Sequence, residues 1–393
     1  MDITGAAKEM HDEIIKWRRE LHQIPEIGFE LEKTSQYLKK RLEEMGISYK
    51  SAAKTGLVAL IEGKESGPTI AFRADMDALP IKEDTGLSFA SSNDNMHACG
   101  HDAHMAMLLG TAKILMGIRE QLNGNVKLLF QPGEEGFAGA KSMIEDGCLD
   151  NPKVDAIIGL HVGQIFPQVK GGQIGICPGP IMAAANDFFI TVKGKSTHGA
   201  LPHLGVDAIA VAAEMIVNLQ KIVSREVNPL HPAVLTVGQI KGGEAVNIVT
   251  SKVEFSGDYR SLMEGDAEFM ARRIEDLCQS IAKANRAEVE VNVVDGYPPT
   301  INDSQMTALV IDSASKIIDK SDIVHIDKPN MGTEDMSFYQ QKVPGAYFIL
   351  GTGNEDKGIT YPHHNSKFDL DEDFLWIGPA IFTSCALDYL NQS

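Results

Sequence analysis

The sequence predicts an α/β fold in which a larger domain, built on a central and mostly parallel sheet, is interrupted by a smaller ferredoxin-like one. Three observations carry this reading. Short apolar runs without polar alternation, as expected of strands covered on both faces, alternate with helical stretches at both ends of the chain. Near Ala185 the order changes to strand, helix, strand, strand, helix, strand, which is the split β-α-β unit. The 393 residues also suffice for two or three domains, each burying its own core.

The elements follow in order. Met10, Ile14, Trp17 and Leu21 recur at helical spacing, and Leu31, Leu38, Leu42 and Met45 mark a second helix that Gly46 ends. Strand-like runs cover 56–61 and 69–73. A helix over 102–115 leads to a strand over 126–130, then a helix over 139–146 and a strand over 154–160. The insert reads as strand 187–192, helix 206–223, strands 233–240 and 252–259, helix 266–284 and strand 288–294. It ends at Tyr297-Pro298-Pro299, after which helix 304–318 and strand 346–350 resume the first rhythm. The expected division is 1–184 and 297–393 for the larger domain, with 185–296 inserted.

Composition excludes whole classes of function. Lys and Arg number 36 against 54 Asp and Glu, a formal net charge of −18. So acidic a surface repels phosphate backbones and anionic lipid, which argues against nucleic-acid and membrane-surface partners. No run of ~18 or more apolar residues predicts a membrane span. The start of the chain is charged and lacks the apolar core of a secretory leader. Five dispersed cysteines, an odd number, offer no disulfide framework. A cytoplasmic protein is expected.

Four segments gather side chains able to bind metal, each at a strand end or in the loop after it. The first is His97-Ala98-Cys99-Gly100-His101-Asp102-Ala103-His104, where thiolate and imidazole are the usual ligands of zinc and similar ions. A regular helix would turn Cys99 away from His101, whereas a bend at Gly100 lets them converge. The alternative is a core thiol beside surface histidines. The second is Gln131-Pro132-Gly133-Glu134-Glu135-Gly136, in which adjacent carboxylates can divide metal binding and proton transfer between them. An isolated Glu-Glu pair is ordinarily a solvated surface, but ligands collect beyond the carboxyl ends of strands in open α/β sheets. The third is His161, closing an apolar run, and the fourth is His363-His364. Asp75 and Asp77 end an earlier strand, and one or the other, Asp77 by preference, is expected to orient a ligand histidine. In the insert, His198, Asn247 and Arg260 offer groups for an oxyanion or a carboxylate, or simply belong to surface loops. No GxSxG elbow, P-loop or dinucleotide-binding glycine pattern stands in a convincing context.

In this order HACGHDAH, QPGEEG, GLHV, GKSTHGALPH, GTEDM and HHN resemble the peptidase M20 family, and within it the branch of aminoacylases, hippurate hydrolases and auxin-conjugate hydrolases. The resemblance runs from the first helix to the last. It implies a metallopeptidase-type catalytic domain with a satellite domain for dimerisation. It also implies two divalent ions (zinc, manganese, cobalt or nickel) held by Cys99, His101, Glu135, His161 and His364. His364 is preferred to His363 because the residues after it match the family segment better. Glu134 takes the place of the general base, His198 that of the satellite-domain histidine steadying the tetrahedral intermediate, and Asn247 and Arg260 lie where substrate contacts are expected. The implied reaction is hydrolysis of an N-acyl-L-amino acid by a homodimer or higher oligomer. A dipeptidase, an N-acetyl-diaminopimelate-type deacetylase and a metal-bound sensor are the alternatives.

Overall fold

A strand with no exposed residue needs a layer on each side, and Thr69–Asp75, Ala156–Val162 and Gly345–Leu350 are buried at every position. In the computed structural model, which describes residues 2–391, these strands form the middle of an eight-stranded sheet. Its order is Ser48–Ala52, Gly56–Glu62, Asn125–Gln131, Thr69–Asp75, Ala156–Val162, Gly345–Leu350, Ile174–Ile176 and Ile323–His325. The four strands from Asn125–Gln131 to Gly345–Leu350 run parallel. The first two pair antiparallel with each other, and the second, Gly56–Glu62, pairs antiparallel with Asn125–Gln131, so the sheet is mixed at its margins.

Helix His101–Gly117 is apolar around nearly its whole circumference and buried accordingly. It packs on strand Thr69–Asp75 and between helices His11–His22 and Ile377–Asn391. The apolar stripe of His11–His22 places Ile14, Trp17 and Leu21 in this core, beside Phe72, Leu108, Phe130, Ile158, Phe348 and Phe382. Each such side chain contributes on the order of 1.5–3 kcal/mol by leaving water.

The chain divides into two compact units. One holds residues 1–181, 301–328 and 335–393; the other holds 182–300 and 329–334. The second unit is an antiparallel sheet in the order Ala233–Gly242, Lys252–Ser261, Ala184–Lys193, Glu288–Tyr297, the order of a ferredoxin-like fold. Alternation along Ala184–Lys193 turns Phe188, Ile190 and Val192 onto helices Ala208–Lys221 and Asp266–Ala284, with Met215, Leu219, Met270 and Ile274 closing the core. Asp207 caps the first of these helices by accepting from the amides of Ile209 and Ala210.

The departures from the expected elements have local causes. The strand expected over 154–160 lies at Ala156–Val162, and the helix expected over 304–318 stops at Ala314 although Ile317 and Ile318 still pack on the core. Strands Ile174–Ile176, Gly179–Met182 and Ile323–His325 have three or four residues, too few to show a period. Ser48–Ala52 is exposed along most of its length and so carries no apolar signature. Among the described residues no helix is long and apolar enough to cross a membrane. All five cysteines are unpaired and buried.

Candidate metal centre

The parallel strands deliver their following loops to one edge of the sheet. Asp75 closes its strand there, Gln131 leads into the Glu134-Glu135 turn, and His161 is the penultimate residue of Ala156–Val162. His101 begins its helix directly after Gly100, which holds a left-handed φ of 85°; a Cβ at that position would lie 2.5 Å from the Val162 side chain. This bend turns Cys99 and His101 to the same side.

Among the described residues five groups of donor atoms result, each with its atoms within 4.8 Å of one another: Cys99, His101 and His161; Cys99, Glu135 and His364; His101, Glu134 and Glu135; Asp75, His101 and His104; Glu134, Glu334 and Asp335. Shared members make them one interlocked cluster. The Cys99 sulfur is 3.4 Å from Nε2 of His161, and Nε2 of His364 is 3.2 Å from Oε1 of Glu135.

The histidines are oriented from behind. Nδ1–H of His101 donates to the Asp77 carbonyl at 2.8 Å, which leaves Nε2 buried with no hydrogen-bond partner. Burial disfavours an imidazolium there, yet the carboxylates of Asp75, Asp77 and Glu135 outweigh it and raise the pKa to about 10. The same field attracts a metal cation to that nitrogen. His161 is held well below its ordinary pKa by burial and by neighbouring His104 and His363, so it is neutral and offers a lone pair. Burial pushes the Glu135 carboxyl up, but His364 and His101 bring it below its usual value and it stays ionised. An unpartnered buried imidazole nitrogen among a sulfur, two further imidazoles and carboxylates suits a borderline divalent ion.

Asp77 also organises the glutamate turn: its two carboxylate oxygens accept from the amides of Glu134 and Glu135 at 3.0 and 3.1 Å. Glu134 lies buried beside the cluster. Of the His-His pair, His364 is the one brought to Cys99 and Glu135, whereas Nε2–H of His363 donates to the Val162 carbonyl at 2.9 Å. His104 is tied between Asp75 and the Val162 amide. His97 is buried apart from the donor groups, and burial lowers its pKa to about 3.

In the second unit, Thr197–His198 pairs with Ile248–Val249, and the amide of Gly199 donates to the Asn247 carbonyl at 2.7 Å, so exposed His198 and Asn247 are neighbours. Nδ1 of His198 accepts from the amide of Ala200 at 3.0 Å. Arg260 is tied to the Asp258 carboxylate and the Met331 carbonyl at 2.8 and 2.7 Å.

Sequence reasoning missed two buried networks. Arg73 bridges Asp75 and Asp335 at 2.8 and 2.7 Å, and Gln131 joins the same Asp335. Arg18 reaches Asp102, Glu372 and Asp369, while His22 joins Asp102 at 2.8 Å. The available signal was faint: Arg18 stands directly beside the apolar stripe of its helix, and Arg73 is a charge within a mostly apolar strand.

A parallel-sheet core that collects three histidines, a cysteine and two glutamates at its carboxyl edge, with a ferredoxin-like insert, defines a hydrolase of metallopeptidase type. The chain belongs to Peptidase family M20/M25/M40, whose profile matches residues 71–388. It is 41% identical to the N-acetyl-L-cysteine deacetylase of Bacillus subtilis, over 92% of this chain and 85% of that protein. It is 42% identical to the N-acyl-L-amino acid amidohydrolase of Geobacillus stearothermophilus, over 77% and 81%. Among solved structures, Bacillus subtilis YXEP, described as a dinuclear metal binding peptidase of the M20 family, matches with a TM-score of 0.85 at 33% identity, covering 98% of this chain and 100% of that one. The protein is a hydrolase of amide bonds in small molecules.

Proposed function

We propose that the protein hydrolyses N-acyl-L-amino acids to a carboxylic acid and a free amino acid. The observation that carries this reading is the interlocked donor cluster with Glu134 at its side. In this reading Cys99, His101, Glu135, His161 and His364 hold two divalent ions, for which zinc, manganese, cobalt and nickel all suit the mixed N, O and S donors. Bound there, the ions supply Lewis acidity that polarises an amide carbonyl and acidifies water. Glu134 takes a proton from the attacking water as the C–O bond forms, and returns it to the amide nitrogen as the C–N bond breaks. His198 stabilises the oxyanion, and Asn247 and Arg260 contact the substrate, the guanidinium matching the amino acid's carboxylate.

The relatives named for N-acetyl-L-cysteine and N-acyl-L-amino acids support the acyl specificity. Thermostable carboxypeptidase 1 of Saccharolobus solfataricus, 37% identical over 99% of this chain, keeps a peptide substrate in view. Release of free amino groups from N-acetyl and N-benzoyl amino acids and from dipeptides decides the matter, run with added zinc or manganese and again with chelator. Chelator-sensitive cleavage, faster on the acyl amino acids, is expected. Faster cleavage of the dipeptides would overturn the acyl reading, and indifference to chelator the metal reading.

A homodimer or higher oligomer formed through the second unit belongs to the same reading. That unit exposes Val217, Leu230 and Ile240 at 65%, 85% and 59%, apolar surface that a second copy would cover. Sedimentation equilibrium at micromolar concentration is expected to give at least twice the 42.7 kDa chain mass. A single 42.7 kDa species would count against it.

A further inference from the structure

Beside the donor cluster, the two peptide groups that flank Val162 are each held by a histidine that binds no ion in the reading above. Strand Ala156–Val162 runs past its neighbour Thr69–Asp75, whose pairing with it stops at Gly159. The overhanging amide of Val162 donates instead to Nε2 of His104 at 2.9 Å, and Nδ1–H of His104 donates to Asp75 at 2.5 Å, which sets the tautomer of that ring. The Val162 carbonyl accepts twice, from Nδ1–H of His161 at 2.7 Å and from Nε2–H of His363 at 2.9 Å. Both lone pairs of that oxygen are used.

The approach of His363 depends on a missing side chain. Gly163 has φ of 112°, and a Cβ on it would lie 2.2 Å from Nε2 of His363. The His363 ring also packs on Phe368, with centroids 4.8 Å apart. Nε2 of His363 meets an oxygen that can only accept, so that nitrogen carries a proton.

We infer that His104 and His363 are positioning residues which, by holding the backbone of Val162 at its amide and at its carbonyl, in the two peptide groups that flank its Cα, fix the ring of His161 in the Nδ1–H tautomer and direct its Nε2 at the metal site. His104 fixes the plane before Val162 and His363 the plane after it, and the carbonyl so oriented holds the Nδ1 proton of His161. That proton assignment leaves the Nε2 lone pair facing the Cys99 sulfur. The inference rests on the reading of His161 as a ligand, and its test separates the two.

The tautomer is read by 15N NMR of histidine-labelled, metal-free protein, and ion affinity by competition with a chromogenic chelator. Wild type is expected to show His161 in the Nδ1–H form. His363→Leu and Gly163→Ala are expected to mix the tautomers and weaken one of the two ions about 10–100-fold. His363→Gln, which keeps a donor for the carbonyl, is expected to stay within a few fold of wild type. An Nε2–H form of His161 in wild type, or equal affinity in the leucine and glutamine variants, would overturn the clamp. Unaltered metal binding by His161→Ala would instead remove His161 from the ligand set, and the tautomer of the wild type would still decide the clamp.

Discussion

Glu134→Gln lowers kcat by about 10²–10⁴-fold and leaves the bound metal at the wild-type level. Glutamine keeps the size of the side chain and its place in the turn, where the backbone amide of residue 134 is held by Asp77. It cannot accept the proton of the attacking water or carry it to the departing nitrogen. The measurement pairs steady-state kinetics on an N-acetyl amino acid with elemental analysis of the same preparation. A kcat within threefold of wild type would remove Glu134 from proton transfer. Loss of metal together with activity would make it a ligand instead, because its carboxylate stands within reach of His101 and Glu135.

Arg18→Met destabilises the larger unit by about 3–5 kcal/mol, the usual consequence of removing one partner from a buried ion pair. Arg18 is 1% exposed and spends its guanidinium on three carboxylates: Asp102 at 2.9 Å, Glu372 at 3.0 Å and Asp369 at 3.3 Å. Methionine fills much the same volume but leaves Asp102 with His22 as its one remaining cationic partner. Burial pushes the Asp102 carboxyl up, and Arg18, followed by His22, holds it far below its usual range, so the arginine is the chief reason this acid stays ionised. Both tryptophans, Trp17 and Trp376, lie in the larger unit, so their fluorescence during urea unfolding follows that unit alone. A clearly lower midpoint is expected, and an unchanged one would show that the arginine contributes nothing net. Because Asp102 follows His101, the same variant is expected to hold metal more weakly.

Much of the fold was legible because burial leaves a periodic trace. The stripe of Ile14, Trp17 and Leu21 and the alternation of Phe188, Ile190 and Val192 each mark one face of an element. Elements of three or four residues left none. The metal cluster was legible in part, because cysteine, histidine and glutamate are the residue types such a site requires and each lay at a strand end or in the loop after it. The resemblance of the assembled motifs supplied the ligand set. Less legible were the residues behind it. Arg73, which ties Asp75, also reaches Asp335, 262 residues away, and nothing local links the two.

By itself the sequence determined the α/β class, the ferredoxin-like insert, the amide hydrolase family and the residue types of the site. These follow from periodicity, element order and motif composition, which are properties of neighbouring residues. The tertiary structure alone decided that His363 serves the Val162 carbonyl, that His104 serves Asp75 and the Val162 amide, and that Arg18 neutralises a buried acid. Those outcomes depend on which donor reaches which acceptor once distant strands and loops converge. A buried polar atom takes the partner that packing leaves within about 3 Å, and spacing along the chain does not record that distance.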